Sequence, residues 1–180
     1  MVMIMQVTKT IISLNMLCSD TFPIMPIKHL RRGCFVTHLK RMICYALTIT
    51  AKHEYIEIFH QYFFNLPPDN DYIKWTVGKA MYMADGTALK QKQALDENGF
   101  YSDIISSSAV CTIICDSIQF DEHTRRFNYY GTQIIKRRTR DLKRSMLTTG
   151  SIENVPRTQN NPHGLMITNW RTLENKDLDY

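Results

Sequence analysis

The hydrophobic rhythm of this chain changes near its middle. From about His53 to Leu66, Tyr55, Ile58, Phe59, Tyr62 and Phe63 fall at i, i+3, i+4, i+7 and i+8. That is one apolar stripe at the period of an amphipathic helix. Pro67 and Pro68 end it, because a residue before proline avoids the α region. Asp69, Asn70 and Asp71 then offer N-caps and negative charge to a second helix, both favourable at a helix start. Its apolar residues are Tyr72, Ile73, Trp75, Val77, Ala80 and Met81. Gly86 to Glu97, rich in Ala, Leu, Lys and Gln, predicts a third helix closing at Asn98-Gly99, a good C-cap. Phe100 to Ile105 predicts a short fourth. Phe59, Phe63 and Trp75 are expected in the core, where the first two helices meet the rest of the fold.

After Ser106-Ser107-Ser108 the period drops to two, the spacing of a half-buried strand. Val110, Ile114, Ile118 and Phe120 read as one strand face, interrupted by Thr112 and Asp116. Asp121-Glu122-His123 turns the chain into a strand over about Arg126 to Arg138. The next, about Leu142 to Ser151, sets Leu142, Arg144, Met146 and Thr148 against Lys143, Ser145, Leu147 and Thr149. The last runs from Leu165 to Leu173. It follows Asn160-Asn161-Pro162-His163-Gly164, where Asn tolerates left-handed backbone, Pro162 sets φ and Gly164 supplies φ > 0. Helices first, then four strands on short turns, predict an α+β fold with helices packed on one face of an antiparallel sheet.

Residues 1–50 show no sustained period, and the stretch from Phe22-Pro23 to Pro26 would break a helix begun before it. Residues 1–51 are therefore expected to be a weakly structured leader, set apart from a domain over 52–180. A bilayer span needs about 20 predominantly apolar residues. Met1 to Cys18 is interrupted by Gln6, Thr8, Lys9, Thr10, Ser13 and Asn15, and Met42 to Ala51 is short. Neither reads as an anchor or as a secretory signal. Charge divides the same way. The leader holds Lys9, Lys28, Arg31, Arg32, Lys40 and Arg41 against Asp20, which accounts for the whole net charge of +5. The neutral remainder argues against a dedicated nucleic-acid-binding domain.

Within that remainder, Arg125, Arg126, Lys136, Arg137, Arg138, Arg140, Lys143 and Arg144 alternate with Phe127, Tyr129 and Tyr130. Cations beside aromatic platforms hold single-stranded nucleic acid on sheets. The strip Arg125–Arg144 thus admits a soluble nucleic-acid-binding module, or else a solvated hairpin facing acidic lipid or a partner subunit. Nothing else assembles a reaction centre. Cys111 and Cys115, four apart on a strand, would sit roughly 13 Å apart, too far for a disulfide; with Cys18, Cys34 and Cys44 they read as free thiols or ordinary packing residues. His53 and His60 share a helix side without a carboxylate or cysteine at ligand spacing, and His163 lies in a turn. Ser106-Ser107-Ser108 lacks nucleophile-elbow glycines and reads as a loop or helix N-cap. Asp85-Gly86 and Asn98-Gly99 are turn chemistry rather than phosphate cradles. No catalytic, cofactor or metal site is expected, and the chain does not read as an enzyme.

The wording of Asn160 to Asp177 resembles the TraK proteins of Bacteroides-type conjugative transposons. So do Tyr129-Tyr130-Gly131-Thr132-Gln133, Ser107-Ser108-Ala109-Val110 and Phe63-Phe64-Asn65-Leu66-Pro67-Pro68-Asp69. In family order these blocks cover about residues 52–180. The resemblance implies a subunit similar to the bitopic inner-membrane assembly components of type IV secretion systems, with a periplasmic nuclear-transport-factor-like domain of helices on a curved sheet. It also implies a structural scaffold that self-associates and contacts other channel subunits at the periplasmic face of the inner membrane. Such relatives carry a membrane anchor; none is evident in residues 1–50.

Overall fold

The chain in this computed structural model is described over residues 32–138 and 140–178, and in the first helix for the side chains of residues 42, 43 and 48 onward. Among the described residues four helices precede four strands: α1 (Arg32–Phe64), α2 (Asn70–Met81), α3 (Gly86–Glu97), α4 (Phe100–Ser106), β1 (Val110–Asp121), β2 (Arg126–Lys136), β3 (Leu142–Asn154) and β4 (Leu165–Asp177). The strands pair antiparallel in the order β1-β2-β3-β4. This is the expected α+β architecture of helices packed on a four-stranded antiparallel sheet. The chain divides into Met1–Cys44 and Tyr45–Tyr180, and the sheet belongs to the second unit.

One boundary differs. The first helix begins at Arg32, not near His53, so residues 32–51, expected in a weakly structured leader, are helical. The chain has no proline between Pro26 and Pro67 to stop it. Residues 1–31 of that leader lie outside the described residues. No helix among the described residues is long and apolar enough to cross a membrane.

The end of α1 anchors the core. Tyr55, Ile56, Phe59 and Phe63 are buried on the sheet, joined by His60 and Phe64, while Ile58 and Tyr62 flank them half-buried. Each such apolar side chain stabilises the fold by about 1.5–3 kcal/mol. Phe59, Phe63 and Phe64 pack around Trp170 of β4 at ring-centre distances of 5.1, 4.8 and 6.2 Å. A second cluster joins α2 and α4 to the far end of β1 and β2 through Leu66, Ile73, Val77, Tyr101, Ile104, Ala109, Cys111 and Ile135.

Caps fix the short helices. The Asp69 carboxylate accepts from the N–H groups of Asp71 and Tyr72 at 2.9 and 3.0 Å. Asp85 caps α3 by accepting from Thr87 N–H at 2.9 Å and reaches β4 through Asn169 N–H at 3.1 Å. Thr87 Oγ1 then accepts from Trp170 N–H at 2.9 Å. The start of α3 is thereby stitched to a β4 irregularity in which Asn169 adopts φ 54°.

Strand β1 departs from the expected face. Cys111 and Ile113 point into the core, while Val110 and Ile114 are exposed. The register steps from Cys115↔Gly131 to Ser117↔Tyr130, leaving Asp116 as the extra residue of a β-bulge. Beyond it the parity reverses, and Ile118 and Phe120 pack on the core. On the neighbouring strands, glycines make room for rings. A Cβ at Gly131 would lie 2.7 Å from Tyr129 Cε1 and 2.9 Å from the Ile114 carbonyl oxygen; one at Gly150 would lie 2.9 Å from Phe127.

Candidate functional site

The basic strip is cut in two by the strand it was read along. Arg125 and Arg126 stand at the β1–β2 turn, whereas Lys136, Arg137, Arg138, Arg140, Lys143 and Arg144 cluster at the opposite end of β2 and the start of β3. The 11 residues of β2, at about 3.3 Å each, put the two groups some 30 Å apart. The intended stacking platforms are also gone. Phe127 and Tyr129 are 1% and 0% exposed beneath α1, and only Tyr130 of the three lies on the outer face, half-buried. Arg144 is engaged, its Nε donating to Asp177 Oδ1 at 2.6 Å. The nucleic-acid reading of Arg125–Arg144 therefore loses the aromatic surface on which bases would stack.

The histidines separate. His60 is a core residue, 0% exposed. Its Nδ1–H donates to the Ile56 carbonyl at 2.7 Å, which leaves Nε2 as acceptor of the Thr148 hydroxyl, also at 2.7 Å. The ring stacks on Tyr129 with centroids 3.7 Å apart and planes 5° from parallel. Burial drives its pKa down to about 3 against the pull of the Ile56 carbonyl, so the imidazole is neutral. His53 instead meets Phe120 edge-on at 6.5 Å, and His163 meets Tyr55 at 5.4 Å. Among the described residues no three His, Cys, Asp or Glu side chains come together as metal ligands would.

The serine run closes α4 rather than opening a helix. Ser106 and Ser107 hydroxyls both donate to the Asp103 carbonyl, at 3.3 and 2.5 Å, and Ser108 takes φ 50° at the exit. Of the cysteines on β1, Cys111 is 2% exposed, and burial raises its thiol to about 11 despite the nearby Arg137 and Arg144. Cys115 is half-buried, and both thiols are free. Neither is a poised nucleophile, which needs a depressed pKa.

Two surfaces remain that sequence reasoning missed. The first is the outer face of α2. Trp75, expected in the core, is 54% exposed, with Tyr72 and Tyr82 at 45% and 52%. Ile73, Thr76, Val77 and Ala80 turn inward instead. Thr76 falls on that face at i+3 from Ile73, and its hydroxyl donates to the Tyr62 carbonyl at 3.2 Å, while Trp75 falls on the opposite side. Tyr72 and Trp75 lie 5.7 Å apart, and Lys79 Nζ sits 5.9 Å from the Trp75 ring. Exposed Trp and Tyr beside a cation are the residue types that anchor protein interfaces.

The second surface is a cleft of about 270 Å³ where α4 meets the ends of β1 and β2. Phe100, Ile104, Ala109, Cys111 and Ile135 line its apolar part. Asp103, Ser106, Ser107, Arg137 and Arg144 line the polar part.

No protein-family model matches the sequence, and no curated protein does. Solved structures do. The soluble domain of TrwG, from the type IV secretion machinery of Bartonella grahamii, aligns with a TM-score of 0.59 at 16% identity, over 73% of this chain and 97% of its own. The VirB8 protein of Agrobacterium tumefaciens aligns at 0.60 and 10% identity, over 73% and 94%. An IcmL-like type IV secretion system protein of Legionella pneumophila aligns at 0.53 and 8%, over 75% and 94%. At these identities the likeness is one of fold.

Proposed function

We propose that this chain is a structural component of a type IV secretion-like conjugative transfer apparatus, of the TraK kind carried by Bacteroides-type conjugative transposons. Its place would be the periplasmic face of the bacterial inner membrane, where it associates with itself and with other channel subunits. The observation that carries this reading is the match of its α+β domain to nearly the whole length of TrwG and VirB8 domains, 97% and 94% of their chains. The sequence blocks that resemble TraK support it at positions the fold needs. Gly131 gives room to the Tyr129 ring, Asn65 Oδ1 accepts from Ile113 N–H at 2.8 Å, and Asn161 Nδ2 donates to the Leu165 carbonyl at 2.6 Å.

The role is one of contact rather than chemistry. A scaffold needs a rigid domain and an adhesive surface, and the aromatic face of α2 offers the second. The test is genetic and physical together. Removing the gene from a host that carries the transfer apparatus should abolish conjugation, and the tagged chain should restore it and co-purify with other transfer subunits. Trp75→Ala, folded normally, should restore transfer poorly. Unchanged conjugation frequency in the deletion strain would refute the role.

A further inference from the structure

The cleft beside α4 joins two kinds of surface in one small space. Ile135 and Arg137 alternate onto the same side of the β2 end, so an apolar side chain and a guanidinium open into the same volume. Arg137 has no hydrogen-bond or ion-pair partner among the described residues, although Asp103 shares the rim. Arg144 keeps its Nη groups while its Nε holds Asp177. The Ser106 and Ser107 hydroxyls spend their protons on the Asp103 carbonyl, which leaves their lone pairs as acceptors for an incoming N–H.

We propose that this cleft binds the C-terminal residue of a partner polypeptide, with an apolar side chain against Phe100, Ile104 and Ile135 and the α-carboxylate on Arg137. The size sets the choice. At about 270 Å³ the cleft falls just below the roughly 300 Å³ of the smallest usual ligand pockets. That volume has room for one large apolar residue. A chain terminus carries an apolar side chain, a carboxylate and a donating N–H on one residue, matching the apolar wall, the guanidinium and the serine acceptors of the cleft. Guanidinium is suited to a carboxylate because it pairs with it bidentately. Asp103 on the same rim repels a second negative charge, so a terminal leucine or phenylalanine fits and a terminal aspartate does not. The site is independent of the scaffold role proposed above.

The probe is an acetylated serine–glycine peptide ending in phenylalanine, titrated as its free acid and as its C-terminal amide into the full chain. Calorimetry gives the affinity, and amide NMR shifts give the location. The acid should shift Ala109, Cys111 and Ile135. The amide should bind about tenfold more weakly or worse, as expected when a charged hydrogen bond is lost. Arg137→Gln should weaken the acid by a similar factor with an unchanged urea midpoint. Arg126→Gln, at the other end of β2, should bind as the parent does. Equal binding of acid and amide, shifts elsewhere on the domain, or no binding would overturn the proposal. Phenylacetate binding as tightly as the peptide, or displacement of the peptide by phosphatidylglycerol vesicles, would reassign the cleft to a small carboxylate or to a lipid surface.

Discussion

Lowering the pH from 7.5 to 5.0 should destabilise this domain mainly through one residue, His60. The ring is held neutral by burial, with its pKa driven from 6.5 to about 3. Its neighbours are Phe59, Phe64, Phe127, Tyr129 and Trp170, and burial pushes the Tyr129 phenol upward, so among the described residues none of the rings packed on His60 carries a charge to stabilise an imidazolium. The sign follows from proton counting. Between pH 6.5 and 3 the unfolded chain binds a proton at this site and the folded chain does not, so stability is complete above 6.5 and falls as the pH drops. At about 1.36 kcal/mol per unit, the 1.5 units from 6.5 to 5.0 correspond to roughly 2 kcal/mol. Urea titrations at pH 7.5 and 5.0, followed by circular dichroism, measure the difference. The imidazole carbon resonances of His60 report the protonation state directly. His60→Gln should be less stable at pH 7.5 but lose its part of the pH slope. A ring that titrates in the folded protein with a midpoint above 6 would refute the reasoning. So would a parent stability equal at the two pH values to within about 0.5 kcal/mol.

Other substitutions probe the packing. Phe63→Ala, at 1% exposure, should cost about 3–5 kcal/mol in urea melts, whereas Trp75→Ala should stay within about 0.5 kcal/mol; comparable losses would mean that α2 sits the other way round. Gly131→Ala should cost about 1–3 kcal/mol, because its Cβ would strike both the Tyr129 ring and the β1 backbone. Gly78→Ala meets nothing within 4 Å and should stabilise α2 by up to about 1 kcal/mol. If the two glycine variants melt alike, the close approach at Gly131 does not exist in solution.

The change of period at Ser108 made the order of helices and strands legible, because backbone geometry writes itself into side-chain spacing. The Asp69 cap was legible for the same reason, since it sits beside the helix it caps, whereas Asp85, read as turn chemistry, caps α3. What stayed hidden depended on partners far along the chain. Thr76 shares the inward face of α2 with Ile73, Val77 and Ala80 and meets a carbonyl on α1, whereas hydrophobicity alone favours the tryptophan. The bulge at Asp116 is visible only against β2. An alternation read straight through it assigns Val110 and Ile114 to the wrong side. The arginines from 125 to 144 are near in sequence, yet a strand holds their two halves apart. The cleft gathers α4, β1, β2 and β3, a grouping that no local spacing encodes. His60 carried one weak signal, its place between Phe59 and Phe63 on the apolar stripe.

The two tryptophans of this chain occupy opposite environments, Trp170 at 2% exposure in the aromatic core and Trp75 at 54% on the surface. That makes the domain a two-channel emitter. Trp170 should fluoresce at shorter wavelength, shielded from aqueous quenchers, and Trp75 at longer wavelength, open to iodide and acrylamide. Docking on α2 would then shield the red component and leave the blue one unchanged. Melting of the core would shift the blue component alone. A single unlabelled sample can thus report assembly and unfolding as separate optical events.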